Sequence, residues 1–300
     1  MATRPDRALG SSFGELGEFL RSRRDALEPV DTGITGHGIR RVPGLRREEL
    51  AQLAGVSVAY YTRLEQGQSI AASDGVLDAL ARALQLRDDE RTHLFALART
   101  RTARRPRSPR TERASSGSLA LLEAMDRVPA VVLGRFGDVL AWNPLGHALL
   151  AGHVEFHAPQ SASTRPNVIR MLFLDPHTRD LHRRWDDEAA LVVASLRFIA
   201  AQNRDDRALA QLVGELSVSS PEFAALWAEH TVALCSSGVK HLHHPEVGDI
   251  DVHYQALHLP DSEGQRLLTH SIEPGSSSAD ALRLLAEIVA SLQESSTADA

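Results

Sequence analysis

The chain has 300 residues, 43% apolar and 24% charged, enough apolar content to fill a core or two and too much for wholesale disorder. No apolar run reaches the roughly 20 residues that cross a bilayer, residues 1–10 lack a secretory apolar core, and a single cysteine, Cys235, excludes an intrachain disulfide framework and a CxxC zinc ribbon. The net charge of −6 is unevenly spread: residues 1–113 carry 20 Arg against 15 Asp and Glu, a surplus of +5, and residues 114–300 carry −11, so a basic part precedes an acidic one. A cytoplasmic protein with no membrane partner is the expectation.

Residues 11–100 read as helices with short breaks. Phe13, Leu16, Phe19, Leu20 and Leu27 recur at helical spacing. A Gly- and Pro-bearing loop over 29–44 follows. A helix over 45–54 has apolar Leu50, Leu53 and Ala54, and Gly55-Val56-Ser57 breaks it. The next helix, 58–66, stops at Gly67. Ser73 caps a fourth, with Val76, Leu77, Leu80, Ala81 and Leu84 on one face. Asp88-Asp89-Glu90 opens a fifth, its acidic first turn suited to the helix dipole, with Leu94, Phe95, Leu97 and Ala98 inward. Residues 101–118 read as a linker: Arg101, Arg104, Arg105, Arg107, Arg110 and Arg113, with Arg99 just before, lie among Pro106, Pro109 and small polar residues.

Over 119–293 the periodicity changes. Val131–Leu133 and Val139–Trp142 flank Gly137-Asp138 and predict a β-hairpin. Pro144 starts a short helix, and longer ones are predicted at about 165–174, 186–203, 205–216 and 221–230. Ser220 and Pro221 suit the cap and first position of the last. Ile250, Val252, Tyr254 and Ala256 alternate with polar residues as in a strand. The alternation slips at Leu257 and Leu259, predicting a bulge near Ala256. Residues 265–272 supply a partner strand and about 279–292 a closing helix. The fold class is therefore multidomain: an all-α N-terminal domain (11–100), a linker (101–118) and an α+β domain with an antiparallel sheet (119–293).

Two short helices around Ala54-Gly55-Val56-Ser57 have the form of a helix-turn-helix. Ala54 is small, Gly55 tolerates positive φ, Val56 plugs the core, and Ser57 caps the second helix. Leu50, Leu53, Tyr61 and Leu64 fall inward. Val58, Ala59, Tyr60, Thr62, Arg63 and Gln66 are left on the outer face or end of a helix that would enter a DNA major groove. Arg63 suits a guanine edge, Val58 and Ala59 a thymine methyl, and Arg46 and Arg47 phosphates.

The run Val42-Pro43-Gly44-Leu45-Arg46-Arg47-Glu48-Glu49-Leu50-Ala51-Gln52-Leu53-Ala54-Gly55-Val56-Ser57, followed by Tyr60-Tyr61-Thr62-Arg63-Leu64-Glu65-Gln66-Gly67, resembles the XRE-family (Cro/repressor-like) regulators, and within them the MmyB-like subgroup. The resemblance implies a phosphate-contacting position at Arg47 and base-facing positions at Val58, Ala59, Thr62 and Arg63. Arg46 stands where the wider family often has Thr or Ser, so the usual N-cap is missing. After Gly67, Gln68–Ser73 replaces a segment that often contains proline. Farther on, Asp138-Val139-Leu140-Ala141-Trp142-Asn143-Pro144, Asn167-Val168-Ile169-Arg170, Phe173-Leu174-Asp175-Pro176 and Ser220-Pro221-Glu222-Phe223 are similar to the MmyB-like ligand-binding domain. That likeness implies a PAS-like fold and a fatty-acid-like effector, with no cofactor required. Residues 231–239 depart from the charged loop of that family.

Candidate ligand contacts are Trp142, Asn143, Arg170, Trp185, Arg197 and His230. A buried Arg170 or Arg197 would meet either a ligand carboxylate or an acidic side chain of the protein. His241, His243, His244, His253 and His258 lack the companion ligands of a metal site, so no metal is expected. No catalytic fingerprint appears, so an enzyme is not expected. The function read here is a DNA-binding transcription regulator, homodimeric on an operator, with a small-molecule effector. The alternatives are a small-molecule-modifying enzyme with a vestigial DNA module, or a protein-interaction module.

Overall fold

The computed structural model describes residues 14–32, 44–68, 72–98, 112–203, 206–260, 262 and 264–298. These fall into two compact units, one within Met1–Arg105, Arg197–Arg204 and Ala228–Ala233, the other within Pro106–Leu196, Asp205–Trp227 and Leu234–Ala300. Phe13, Val42, Pro43, Ser69–Ala71 and the linker residues Arg99, Arg101, Arg104, Arg105, Arg107 and Arg110 lie outside the described residues.

The first unit contains α1 (Glu15–Ala26), α2 (Arg47–Ala54), α3 (Val58–Glu65), α4 (Asp74–Ala83) and α5 (Asp88–Ala98). Its core of Phe19, Leu20, Leu45, Leu50, Tyr61, Leu64, Leu77, Leu80 and Leu94 is almost wholly shielded from water, and Phe198, Ala201 and Val232 join it. The Ser73 hydroxyl accepts from the Val76 amide at 3.4 Å and caps α4. One inward assignment is overturned. Leu53 is 39% exposed, because Leu50, Ala51 and Ala54 form the buried stripe of α2 and position 53 lies beyond its edge. Phe95 packs against the core from a half-buried position, with the Arg91 guanidinium 5.5 Å from its ring. His93 also takes an interior place, with Phe19 edge-on at 5.0 Å.

The second unit opens with α6 (Ser116–Glu123), which starts inside the stretch read as linker; Ser115 caps it, accepting from the Ser118 amide at 3.0 Å. There follow β1 (Ala130–Leu133), β2 (Val139–Trp142), α7 (Pro144–Ala151), α8 (Val168–Leu174), α9 (Pro176–Leu181), α10 (Trp185–Gln202), α11 (Arg207–Ser219), α12 (Pro221–Ala228), β3 (Ser237–His244), β4 (Gly248–His258), β5 (Arg266–Ser271) and α13 (Ser277–Ala298). The last residues of α10 belong to the first unit.

The sheet is antiparallel, in order β2-β1-β5-β4-β3. The bulge expected near Ala256 is absent. β4 pairs in unbroken register with β5 through Ala256↔Leu268, Leu257↔Leu267 and His258↔Arg266. Leu257 is simply an outward residue, 45% exposed. The register shift falls instead between Val132 and Leu133. One sheet face packs Ala130, Val132 and Leu267 with Leu122 of α6. The other buries Val131, Leu133, Val139 and Trp142, with Val168, Met171 and Leu268 beside them. On the far strands Leu242, Ile250 and Val252 meet Leu145, Leu149, Leu181 and Leu285.

Candidate nucleic-acid interface and ligand domain

The turn between α2 and α3 follows from three residues. Gly55 ends α2 at φ 65°, the left-handed region open to glycine. The Val56 amide then donates to the Ala51 carbonyl at 3.0 Å, and the Ser57 hydroxyl accepts from the Tyr60 amide at 3.2 Å, starting α3. Tyr61 and Leu64 face the core. Val58, Ala59 and Arg63 are exposed, and Tyr60, Thr62 and Gln66 are half-buried. Val58, Ala59, Thr62 and Arg63 thus share one outer face of a short capped helix.

At the base of that face is a charge network that sequence reasoning missed. Glu65 is fully buried. Its carboxylate accepts from Arg24 Nε and Nη2, both at 3.1 Å, and from Arg47 Nε at 3.1 Å and Nη2 at 2.8 Å. Arg24 Nη1 donates to the Leu45 carbonyl at 2.7 Å. Burial pushes the Glu65 carboxyl up, but the hydrogen bonds from Arg24 and Arg47 outweigh it and hold it below the usual carboxylate range. α1 can approach because position 17 is glycine: a Cβ there would stand 2.0 Å from the Glu65 carbonyl oxygen. Arg47, expected on a phosphate, is therefore held by two of its nitrogens inside the protein. Arg46 has no cap-accepting group; the Glu49 carboxylate accepts from its amide at 2.7 Å, half of a capping box.

Of the six candidate ligand contacts, Trp142, Asn143, Arg170 and Trp185 belong to the second unit and Arg197 and His230 to the first. Asn143 caps α7, accepting from Gly146 N at 2.8 Å and Ala130 N at 3.0 Å and donating to the carbonyls of Met125 (2.6 Å) and Val128 (2.8 Å). Its hydrogen bonds are spent on architecture. Trp142 Nε1 donates to the Phe156 carbonyl and Trp185 Nε1 to the Leu172 carbonyl, both at 2.8 Å. Arg170 grips Glu215, with Nη2 2.9 Å from Oε2, so the acidic partner is the protein's own. Arg197 and His230 lie in the first unit. There Arg197 Nη1 donates to His230 Nδ1 at 3.1 Å, and His230 Nε2 is 3.7 Å from Glu18. Burial lowers Arg197 to about 10, and burial together with Arg197 lowers His230.

Other ionisable groups do converge. Lys240 Nζ contacts Glu188, both side chains nearly buried, and lies 4.9 Å from the Tyr254 ring centre. Burial pushes Glu188 up and Lys240 more than reverses it. His241 and His243 pair with Asp251 (2.9 Å) and Asp249 (2.6 Å) across β3 and β4. His153, Asp175 and His177, singled out by no spacing argument, bring their ligating atoms within 4.8 Å of one another. They are the one set with metal-ligand chemistry among the described residues. No helix among them is long and apolar enough to cross a membrane.

The family model for a helix-turn-helix domain matches residues 15–94, covering α1 to α4 and part of α5. No curated protein matches the chain. The family model for the MmyB-like transcription regulator ligand binding domain matches residues 114–285, more than half of the sequence. The chain therefore belongs to the MmyB-like transcription regulator ligand binding domain family, and with its helix-turn-helix domain it is a ligand-sensing transcription regulator.

Proposed function

We propose that α3 enters the major groove of an operator, with Val58, Ala59, Thr62 and Arg63 toward base edges and Ser57, Tyr60 and Gln66 at its margins. The observation that carries this reading is the outer face of α3: it leaves Arg63 exposed, and Arg63 makes no hydrogen bond or ion pair among the described residues. Arg46 is the phosphate contact, and Arg47 adds whatever its remaining nitrogen reaches. The protein binds two half-sites as a homodimer, works in the cytoplasm without catalysis, and takes an apolar, fatty-acid-like effector. For the effector to regulate, it must bind one conformation more tightly than the other.

An electrophoretic shift with the gene's own upstream DNA tests the reading. Arg63→Ala should cost about 1–3 kcal/mol and relax sequence preference, whereas Arg46→Ala should weaken all sequences alike and flatten the salt dependence by about one unit. Parent-like shifts from both variants would remove α3 from the interface.

A further inference from the structure

Two segments of the second unit bring three ligating side chains together. His153 stands just past the end of α7, and Asp175 and His177 open α9. His153 Nε2 lies 2.5 Å from Asp175 Oδ2, and His177 Nδ1 lies 3.4 Å from Asp175 Oδ1. The two imidazoles stack with ring centres 4.7 Å apart and planes within 12° of parallel. Each ring thus turns one nitrogen toward the same carboxylate, and the three ligating atoms lie within 4.8 Å of one another.

Both supporting segments are fixed by bonds of their own. The Val154 amide donates to the Ala151 carbonyl at 2.8 Å, and His147 Nε2 donates to the Val154 carbonyl at 2.7 Å, which holds the turn that carries His153. The Asp175 carboxylate accepts from the His177 amide at 2.9 Å and from the hydroxyl of buried Thr178 at 3.2 Å. Such outer partners orient a carboxylate that binds a metal. The side chains of His153 and Asp175 are 28% and 23% exposed and that of His177 73%, so an ion can enter from solvent and His177 can swing to meet it.

The donor set selects the ion. Two neutral imidazoles and one carboxylate suit zinc and its transition-metal neighbours, whereas magnesium and calcium take oxygen ligands. Tetrahedral zinc, with bonds of about 2.1 Å, sets its ligand atoms about 3.4 Å apart. The His177–Asp175 pair already has that separation. The His153–Asp175 pair reaches it when an ion replaces the proton between them. The histidines of β3 are arranged differently. His241 and His243 meet separate aspartates, Asp251 and Asp249, and the Arg183 guanidinium already neutralises both.

We propose that His153, Asp175 and His177 form a binding site for a divalent ion of the zinc class, with Thr178 as a positioning residue. The ion ties the turn after α7 to the first turn of α9, and water completes its coordination.

The test is calorimetric titration of the full, tag-free chain with zinc chloride, with magnesium chloride as the hard-ion control. The parent should bind zinc in the micromolar range and magnesium not at all. His153→Ala, Asp175→Asn and His177→Ala should each weaken zinc binding by more than about tenfold, and Thr178→Val by about tenfold, the loss typical of an outer-shell partner. His243→Ala should bind like the parent. Asparagine at 175 keeps an oxygen to cap α9, and position 177 is exposed, so metal-free Asp175→Asn and His177→Ala should fold as the parent does. Zinc should raise the melting temperature of the parent and leave that of His177→Ala unchanged. No zinc binding by the parent in the micromolar range, parent-like zinc binding by any of the three ligand variants, or equally tight binding of magnesium would each overturn the site.

Discussion

Replacing Glu65 with leucine should unfold much of the DNA-binding unit's margin of stability. The side chain is fully buried and accepts four hydrogen bonds from two guanidinium groups. Breaking a buried pair by removing one partner costs about 3–5 kcal/mol, because the charge left behind has neither water nor a counter-ion. Here the lower end, about 3 kcal/mol, applies. Arg24 keeps Asp25 at 2.7 Å and the Leu45 carbonyl, and Arg47, 38% exposed, turns to solvent. Urea denaturation followed by circular dichroism at 222 nm reads the loss directly. The double variant Arg24→Met/Glu65→Leu should recover most of it, since an apolar pair of similar volume replaces the ionic one. A loss below about 1 kcal/mol for Glu65→Leu, within the range of exposed ion pairs, would refute the view that this network is held out of water.

Three further outcomes follow from the same reasoning. Glu65 has a folded pKa below its unfolded value, so its stabilisation is complete above the ordinary carboxylate range and disappears as pH falls through the lowered value. Urea midpoints from pH 7 to pH 3 should therefore fall less steeply for Glu65→Gln than for the parent. Asn143→Ala should cost about 3 kcal/mol in the second unit by calorimetry, because it strips a helix cap and leaves buried backbone groups unpaired. Arg170→Leu should change stability by less than about 1 kcal/mol, because both partners of its pair are 37% exposed.

Helix content and type were largely legible because caps and apolar stripes are local. Ser57, Ser73 and Pro221 stand where their helices begin. β3 escaped notice because Leu242 is its sole buried apolar side chain and histidines occupy three of its positions, so the period-two signal is weak. α6 was hidden by the Arg-rich stretch before it. The Asn143, Asn167 and Asp175 of the family-like phrases are legible as motifs but not as roles. Each caps a helix, a role that the phrase itself does not spell out. Glu65 depends on Arg24 and Arg47, tens of residues away or on another helix, and spacing carries no trace of them.

All three tryptophans, Trp142, Trp185 and Trp227, lie in the second unit. Each is hydrogen-bonded, ring-stacked or both: Trp142 beside His147, Trp185 against Phe173, Trp227 on Phe223. Indole emission therefore reports on the sensing domain alone, while the operator-facing part emits only through Tyr60 and Tyr61. The native chain thus carries its own optical channel for effector occupancy, separable by excitation wavelength from any labelled duplex, and needs no engineered dye.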